Sequence, residues 1–261
     1  MSPEGARPDR SPLRFTVTAL DTVDSTQSEI QRLAAAGAPE GTAVTARHQS
    51  AGRGRRGHEW WDAPGQSLLC SVLLRPACAP AAVPQLSLVG GLAVAEALAE
   101  SAGARVRIRW PNDLLADGRK VSGILAEAAS AGGEKVQHVV LGIGINLAQT
   151  AFPGEIAARA TSLRLLTGRE PDPAALRDAM LAALGRRYAE WREGGFAALR
   201  VAWLGWSVLP GQPVRLPDGG AGRGEDVGVD GILLARAADG RLVRVVSAAA
   251  AEEGTVHAAG H

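Results

Sequence analysis

Apolar positions along the chain fall into short blocks with two different periods. Phe15 to Leu20 alternates, which predicts a strand. Thr26-Gln27-Ser28-Glu29 has the spacing of a capping box and predicts a helix that stops at Gly37. Ala43 to His48 and Ser67 to Leu74 read as strands, and Pro84 to Ala102 reads as a long Ala/Leu-rich helix ended by Gly103. Val106 to Arg109 predicts a strand that halts at Trp110-Pro111-Asn112-Asp113, where proline and turn-forming residues follow one another. Asp117-Gly118 is a hairpin signal, returning the chain as Val121 to Ala128, and Val136 to Ile145 closes the group. Strands joined by hairpins rather than by helices imply a mixed, largely antiparallel sheet and exclude a doubly wound Rossmann arrangement.

The second half has another texture. Asp172-Pro173 supplies an N-cap and a first-turn proline for a helix to about Trp191, and a further helical stretch ends near Trp206. Beyond Pro210, short strands at Val214–Leu216, Asp226–Val229, Ile232–Arg236 and Leu242–Val246 alternate with Asp-Gly and Gly-Gly turns. The expected class is α+β, with a small C-terminal β-barrel on a larger body. The predicted division is a disordered tail over 1–12, a main domain over 13–208, and a barrel with its tail over 209–261.

Composition narrows the function classes. The 261 residues carry 46% hydrophobic and 21% charged side chains, as an ordinary globular protein does. A formal charge of +1 gives no global pull toward nucleic acid or membrane, so any anion binding must be local. Cys70 and Cys78 make neither a disulfide framework nor a metal cluster. His48, His58 and His138 lack ligand spacing, and no metal site is predicted. Met1 to Pro12 has no apolar core of a signal peptide, and Leu86 to Ala99 is too short and too broken to span a bilayer. A cytoplasmic protein without membrane contact is expected. Trp191, Trp203 and Trp206 read as core aromatics, the last two also as candidates for the domain junction, and Arg186-Arg187 as a solvated helix face.

Local charge is concentrated in Gln49-Ser50-Ala51-Gly52-Arg53-Gly54-Arg55-Arg56-Gly57, followed by Trp60 and Trp61. Glycines free the backbone N–H groups, and arginine forks beside them suit a carboxylate or phosphate. Gly52, Gly54 and Gly57 match G-x-G-x-x-G in form, but no apolar helix follows, so the dinucleotide reading is discarded; no P-loop motif occurs. Two further groups belong with the loop. One is Arg109-Trp110-Pro111-Asn112-Asp113 with Lys120 and Ser122-Gly123-Ile124-Leu125-Ala126-Glu127; the other is Leu141-Gly142-Ile143-Gly144-Ile145-Asn146-Leu147. Glycines within strands mark bulges, close packing or a place where a ligand meets the backbone.

Together with Asp24-Ser25-Thr26-Gln27, these stretches resemble the biotin–protein ligases, in the family's order and over roughly Leu13 to Leu147, with weaker similarity through the C-terminal barrel. The resemblance implies a catalytic domain akin to class II aminoacyl-tRNA synthetases and an SH3-like C-terminal barrel. It implies ATP-dependent activation of biotin to biotinyl-5′-AMP, with Mg²⁺ on the phosphates, then transfer to a lysine of a biotin carboxyl carrier protein of the acyl-CoA carboxylases. Ser25, Thr26, Gln27, Gln49, Gly52 and Gly123 would serve biotin. Arg53, Gly54, Arg55 and Lys120 would serve its carboxylate and the adenylate phosphate. Arg56, Trp60, Asn112 and Asn146 would serve the nucleotide. Arg53, Arg55, Lys120 and Asp113 would carry catalysis, with Asp113 orienting Lys120 or the acceptor lysine, or else capping its turn. Arg109 stands where the family more often has lysine. Family members that double as repressors carry an N-terminal helix-turn-helix; Met1 to Pro12 is too short for one, so no specific DNA binding is expected. Oligomeric state is left open. A lipoate–protein ligase and a non-catalytic biotin-binding module are the rival readings; the cations argue against the second, since capture alone needs fewer charges.

Overall fold

The computed structural model describes residues 11–129 and 135–246. The predicted polar tail before Ser11 and the alanine-rich end after Val246 lie outside the described residues. Seven strands form the main sheet: β1 (Thr16–Val23), β2 (Thr42–Gln49), β3 (Ser67–Leu74), β4 (Arg107–Arg109), β5 (Asp113–Ala116), β6 (Arg119–Ala129) and β7 (His138–Asn146). Their spatial order is β1-β2-β3-β7-β6-β5-β4. Only β1 and β2 run parallel; every other neighbouring pair is antiparallel. The expected mixed, largely antiparallel sheet is therefore present.

Alternation on β3 and β7 sorts side chains to two faces. Leu68, Cys70, Val72 and Leu74, with Val139, Leu141, Ile143 and Ile145, join the large core under α2 (Val83–Ala102) and α4 (Pro173–Trp206). On the other face, Leu73 and Val140 pack with Ile30 and Ala34 of α1 (Thr26–Ala35). Helix 80–102 is long and apolar enough to cross a membrane by length and composition, contrary to the shorter stretch read from the sequence; 72% of its most apolar window is buried in this core.

Several boundaries follow from local chemistry. Gly103 ends α2 at φ 61°, the left-handed conformation that glycine adopts without strain. The cap of α1 is Ser25, whose hydroxyl accepts from the Gln27 N–H; the predicted box on Thr26 is displaced by one residue, and Glu29 instead pairs with Arg32. Asp172 accepts from the N–H groups of Ala174 and Ala175 at 2.9 and 3.1 Å. Asp172→Ala should therefore cost about 1 kcal/mol and lower the melting temperature by about 2–4 °C, read by thermal unfolding. Within α4 the backbone breaks at Gly195 (φ 61°, ψ −162°), and Gln85 of α2 bridges the break, its Oε1 accepting from Trp191 Nε1 and Phe196 N. Arg187 is no mere solvated side chain. It forks onto Glu96, tying α4 to α2 at 2.5 to 3.2 Å.

A short α3 (Leu163–Thr167) precedes α4, and the C-terminal strands β8 (Pro213–Arg215), β9 (Ala221–Val227), β10 (Leu233–Ala237) and β11 (Leu242–Val245) form an antiparallel sheet in the order β11-β10-β9-β8. Strand β9 begins five residues before the predicted start, because Gly222 and Gly224 carry no apolar signal; a Cβ on either would press Leu216 or Leu209 at 2.7 Å. Trp110 reaches this sheet. Its backbone exchanges hydrogen bonds with the Gln212 amide at 3.0 and 2.7 Å, and its indole donates to Gly231 O at 3.1 Å. Trp203 is fully buried, edge-on to Phe196 at 6.0 Å.

Candidate active site

The α1 face of the sheet opens into a cleft. Register sets its floor. Leu69, Gly144 and Gly123 lie side by side across β3, β7 and β6; Ser71, Gly142 and Leu125 form the next row, and Leu73, Val140 and Glu127 the third. The glycines leave a trough where side chains would otherwise stand. The Trp60 indole lies across Gly144 and Gly123, where a built Cβ would come within 2.6 and 3.1 Å of the ring. Gln27 lies over Gly142, whose Cβ would stand 2.7 Å from its Oε1. Gln27 Oε1 and Trp60 Nε1 are buried there without a hydrogen-bond partner.

One end of the trough presents uncharged polar side chains, backed by one ion pair. Gln49 Oε1 accepts from Thr26 N at 2.8 Å and from Thr26 Oγ1 at 3.0 Å, and Thr26 Oγ1 also meets Ser71 Oγ at 2.8 Å. Gln27 Nε2 donates to Glu127 Oε2 at 3.0 Å, and Glu127 Oε1 accepts from Arg53 Nη2 at 2.6 Å. Gly52 is buried behind this end, its Cβ position 2.4 Å from the Trp60 carbonyl, so no larger residue fits.

The other end is cationic. Arg55 donates to Asn112 Oδ1 at 2.9 Å, and Asn112 is anchored in turn by its Nδ2 donating to Ile124 O. Burial, and then the neighbouring Arg56 charge, lower the Arg55 pKa from its ordinary value. A desolvated guanidinium of this kind interacts strongly with an anion that reaches it. Lys120 Nζ lies 5.6 Å from the Trp60 ring centroid and 2.7 Å from Asp113 Oδ1. Asp113 Oδ2 accepts from Arg109 Nη2 at 2.9 Å. Burial pushes the Asp113 carboxyl up, but Lys120 and then Arg109 outweigh it and hold the group below its usual range. Asp113 thus sits between two cations, and Arg109 serves Asp113 rather than lining the cleft.

Of the residues singled out from the sequence, Ser25, Thr26, Gln27, Gln49, Arg53, Gly54, Arg55, Trp60, Asn112, Lys120 and Gly123 line the cleft. Gly52 and Asp113 support it from behind. Arg56 is in the left-handed region at φ 56°, on a 3₁₀ turn over Arg55–Gly57, and does not line it. Asn146 does not line it either: its Nδ2 donates to Thr161 O at 2.9 Å, and the residue is buried. Ser71 and Leu69 also line the cleft, though sequence reading did not single them out; Glu127, quoted with the Lys120 motif, meets the cleft through Gln27 and Arg53.

A glycine-floored trough with a hydrogen-bonding end and a cationic end suits an enzyme that binds a polar ring bearing an acid and brings that acid to a second anion. Comparison with known proteins agrees. Residues 19–146 match the biotin/lipoate A/B protein ligase family. The chain is 40% identical over 232 residues to a biotin–[acetyl-CoA-carboxylase] ligase of Paracoccus denitrificans, covering 86% of this chain and 95% of that one. It is 36% identical over 225 residues to the bifunctional ligase/repressor BirA of Bacillus spizizenii, covering 84% and 69%. A solved biotin protein ligase from Aquifex aeolicus, in complex with biotin and ATP, superposes with a TM-score of 0.75 at 31% identity, covering 89% of this chain and 96% of that one. The chain belongs to the biotin/lipoate A/B protein ligase family, and its fold is that of the biotin protein ligases.

Proposed function

We propose that this enzyme is a cytoplasmic biotin–protein ligase that joins biotin and ATP to give biotinyl-5′-AMP and pyrophosphate, then passes biotin to one lysine of a carboxyl carrier domain of an acyl-CoA carboxylase. In the first step a biotin carboxylate oxygen attacks the α-phosphorus and pyrophosphate leaves. In the second, the lysine amine attacks the acyl carbon and AMP leaves. The carboxylate is a weak nucleophile and both reactants are anions, so cations aimed at the developing charge are the main requirement. One observation carries the reading: Arg55 and Lys120 reach the same trough whose opposite end is built from Ser25, Thr26, Gln27 and Gln49.

In this reading the hydrogen-bonding end takes the ureido ring, with the unpartnered Gln27 Oε1 offering an acceptor to a ring N–H. Arg53, Gly54 and Arg55 take the carboxylate and later the phosphate, and Lys120 takes the α-phosphate. Trp60 and Asn112 flank the nucleotide, with Arg56 adding charge nearby. Asn146 acts from behind, by holding the Thr161 backbone beside Lys120. Asp113 keeps Lys120 in place. Mg²⁺ would enter as part of MgATP. Among the described residues no three His, Cys, Asp or Glu side chains gather to hold a metal, so no step is assigned to a resident ion.

Intact-mass measurement of a carrier domain, incubated with this protein, biotin and MgATP, is expected to show a single biotinyl addition. Pyrophosphate release with an unchanged carrier would overturn the transfer step. Pyrophosphate exchange run with biotin and with lipoate separates the two acids; a lipoate preference would reassign the substrate.

A further inference from the structure

The Ser71–Thr26–Gln49 contacts admit one arrangement of protons. Thr26 N–H can only donate, so the Gln49 atom 2.8 Å away must be the amide oxygen, which leaves the amide nitrogen on the Gly52 side. Thr26 Oγ1 lies 3.0 Å from the same oxygen, an atom with no proton to give, so the threonine hydroxyl must spend its single proton there. Its remaining capacity is to accept. Ser71 Oγ, 2.8 Å distant, must therefore be the donor. Ser71 is fully buried beneath Thr26, and strand β3 fixes it opposite Gly142, where no side chain competes for it.

We infer that Ser71, through Thr26 and Gln49, sets the direction of this hydrogen-bond chain and so positions the ring end of the cleft for a cyclic urea. The inference rests on the biotin reading above and adds a positioning residue to it. With every proton committed, the Gln49 amide is held with its N–H groups available to a carbonyl, while the unpartnered Gln27 oxygen is available to an N–H. A ureido ring carries both groups. A ring without them would leave these buried groups unpaired, and such mismatches discriminate strongly. Without Ser71 the threonine hydroxyl loses its donor and is free to turn, and the Gln49 amide loses part of what holds it.

The test is steady-state adenylation by Ser71→Ala, with the substrates varied in turn. KM for biotin is expected to rise about tenfold, as for loss of one buried hydrogen bond, while kcat and KM for ATP stay within about twofold. In a Thr26→Val background, where the chain is already broken, Ser71→Ala should change KM for biotin by less than about twofold. Ser71→Cys, nearly the same size with a weaker donor, is expected to fall between serine and alanine, and carries the test if the alanine variant does not fold. Unchanged KM for biotin, equal rises in both KM values, or full additivity with Thr26→Val would each overturn the inference. A wild-type protein without biotin-dependent pyrophosphate exchange would instead sink the underlying reading.

Discussion

Lys120→Ala is expected to lower biotin-dependent pyrophosphate exchange by about 10²–10³-fold, the usual loss when a group that stabilises transition-state charge is removed. Its ammonium lies against the glycine floor, where a Cβ on Gly123 would be 2.9 Å away, and nothing else in that row reaches the same point with a charge. Transfer from preformed biotinyl-5′-AMP should suffer much less, because by then the phosphoryl step is over. An equal loss in both half-reactions would remove Lys120 from its assigned role. The same variant alters the response to acid. Asp113 ionises more readily in the folded protein than in the unfolded chain, so its contribution to stability is present at neutral pH and is lost as pH falls through its lowered pKa. Without Lys120, burial remains while the first compensating charge is gone. The Asp113 pKa must rise, and the acid-side loss of stability should begin at higher pH than in the wild type. Chemical denaturation on descending from neutrality toward about pH 4 reads this directly, and coincident acid limbs would show that the pair is uncoupled.

Arg55→Ala should reduce adenylate formation by about 10²-fold. The side chain is partly withdrawn from water, and its guanidinium donates to Asn112 Oδ1, which helps to orient it. Arg55→Lys keeps a charge but loses the planar fork, and should recover only part of the rate. A defect confined to carrier modification, with normal exchange, would place Arg55 with the acceptor protein instead. Arg53 differs in kind. It is already paired with Glu127 at 2.6 Å, so its substitution removes an ordered contact between the loop and β6 as well as a positive charge.

Much of this was legible in the residues. Gly103, Asp172-Pro173 and Asp117-Gly118 announce chain reversals by chemistry that tertiary packing rarely overrides, and the structure has them where the sequence puts them. The cationic cluster was equally plain, because glycines and arginines in one loop have few structural reasons to coexist. Strand β5 was missed: four residues between two turn signals carry too little periodicity to register. The helix cap fell on Ser25 rather than Thr26, since Thr26 is drawn into the hydrogen-bond chain with Gln49 and Ser71. Ser71 itself was invisible, one hydroxyl in the apolar run Ser67–Leu74, where only the register reveals what lies opposite. Asn146 looked like a ligand contact by resemblance, and its Nδ2 is instead engaged with the Thr161 backbone.

The paired bonds between Trp110 and Gln212 place the small C-terminal sheet one residue bond away from the turn that carries Asn112 and Asp113. Those two side chains steady Arg55 and Lys120 in turn. The small sheet is therefore a lever on the Arg55 and Lys120 charges, although among the described residues it contributes no wall to the trough. Cutting the chain before Pro210 would spoil activation by slackening that turn, and a swing of the appended sheet, were a docking carrier to cause one, would be felt at both cations together.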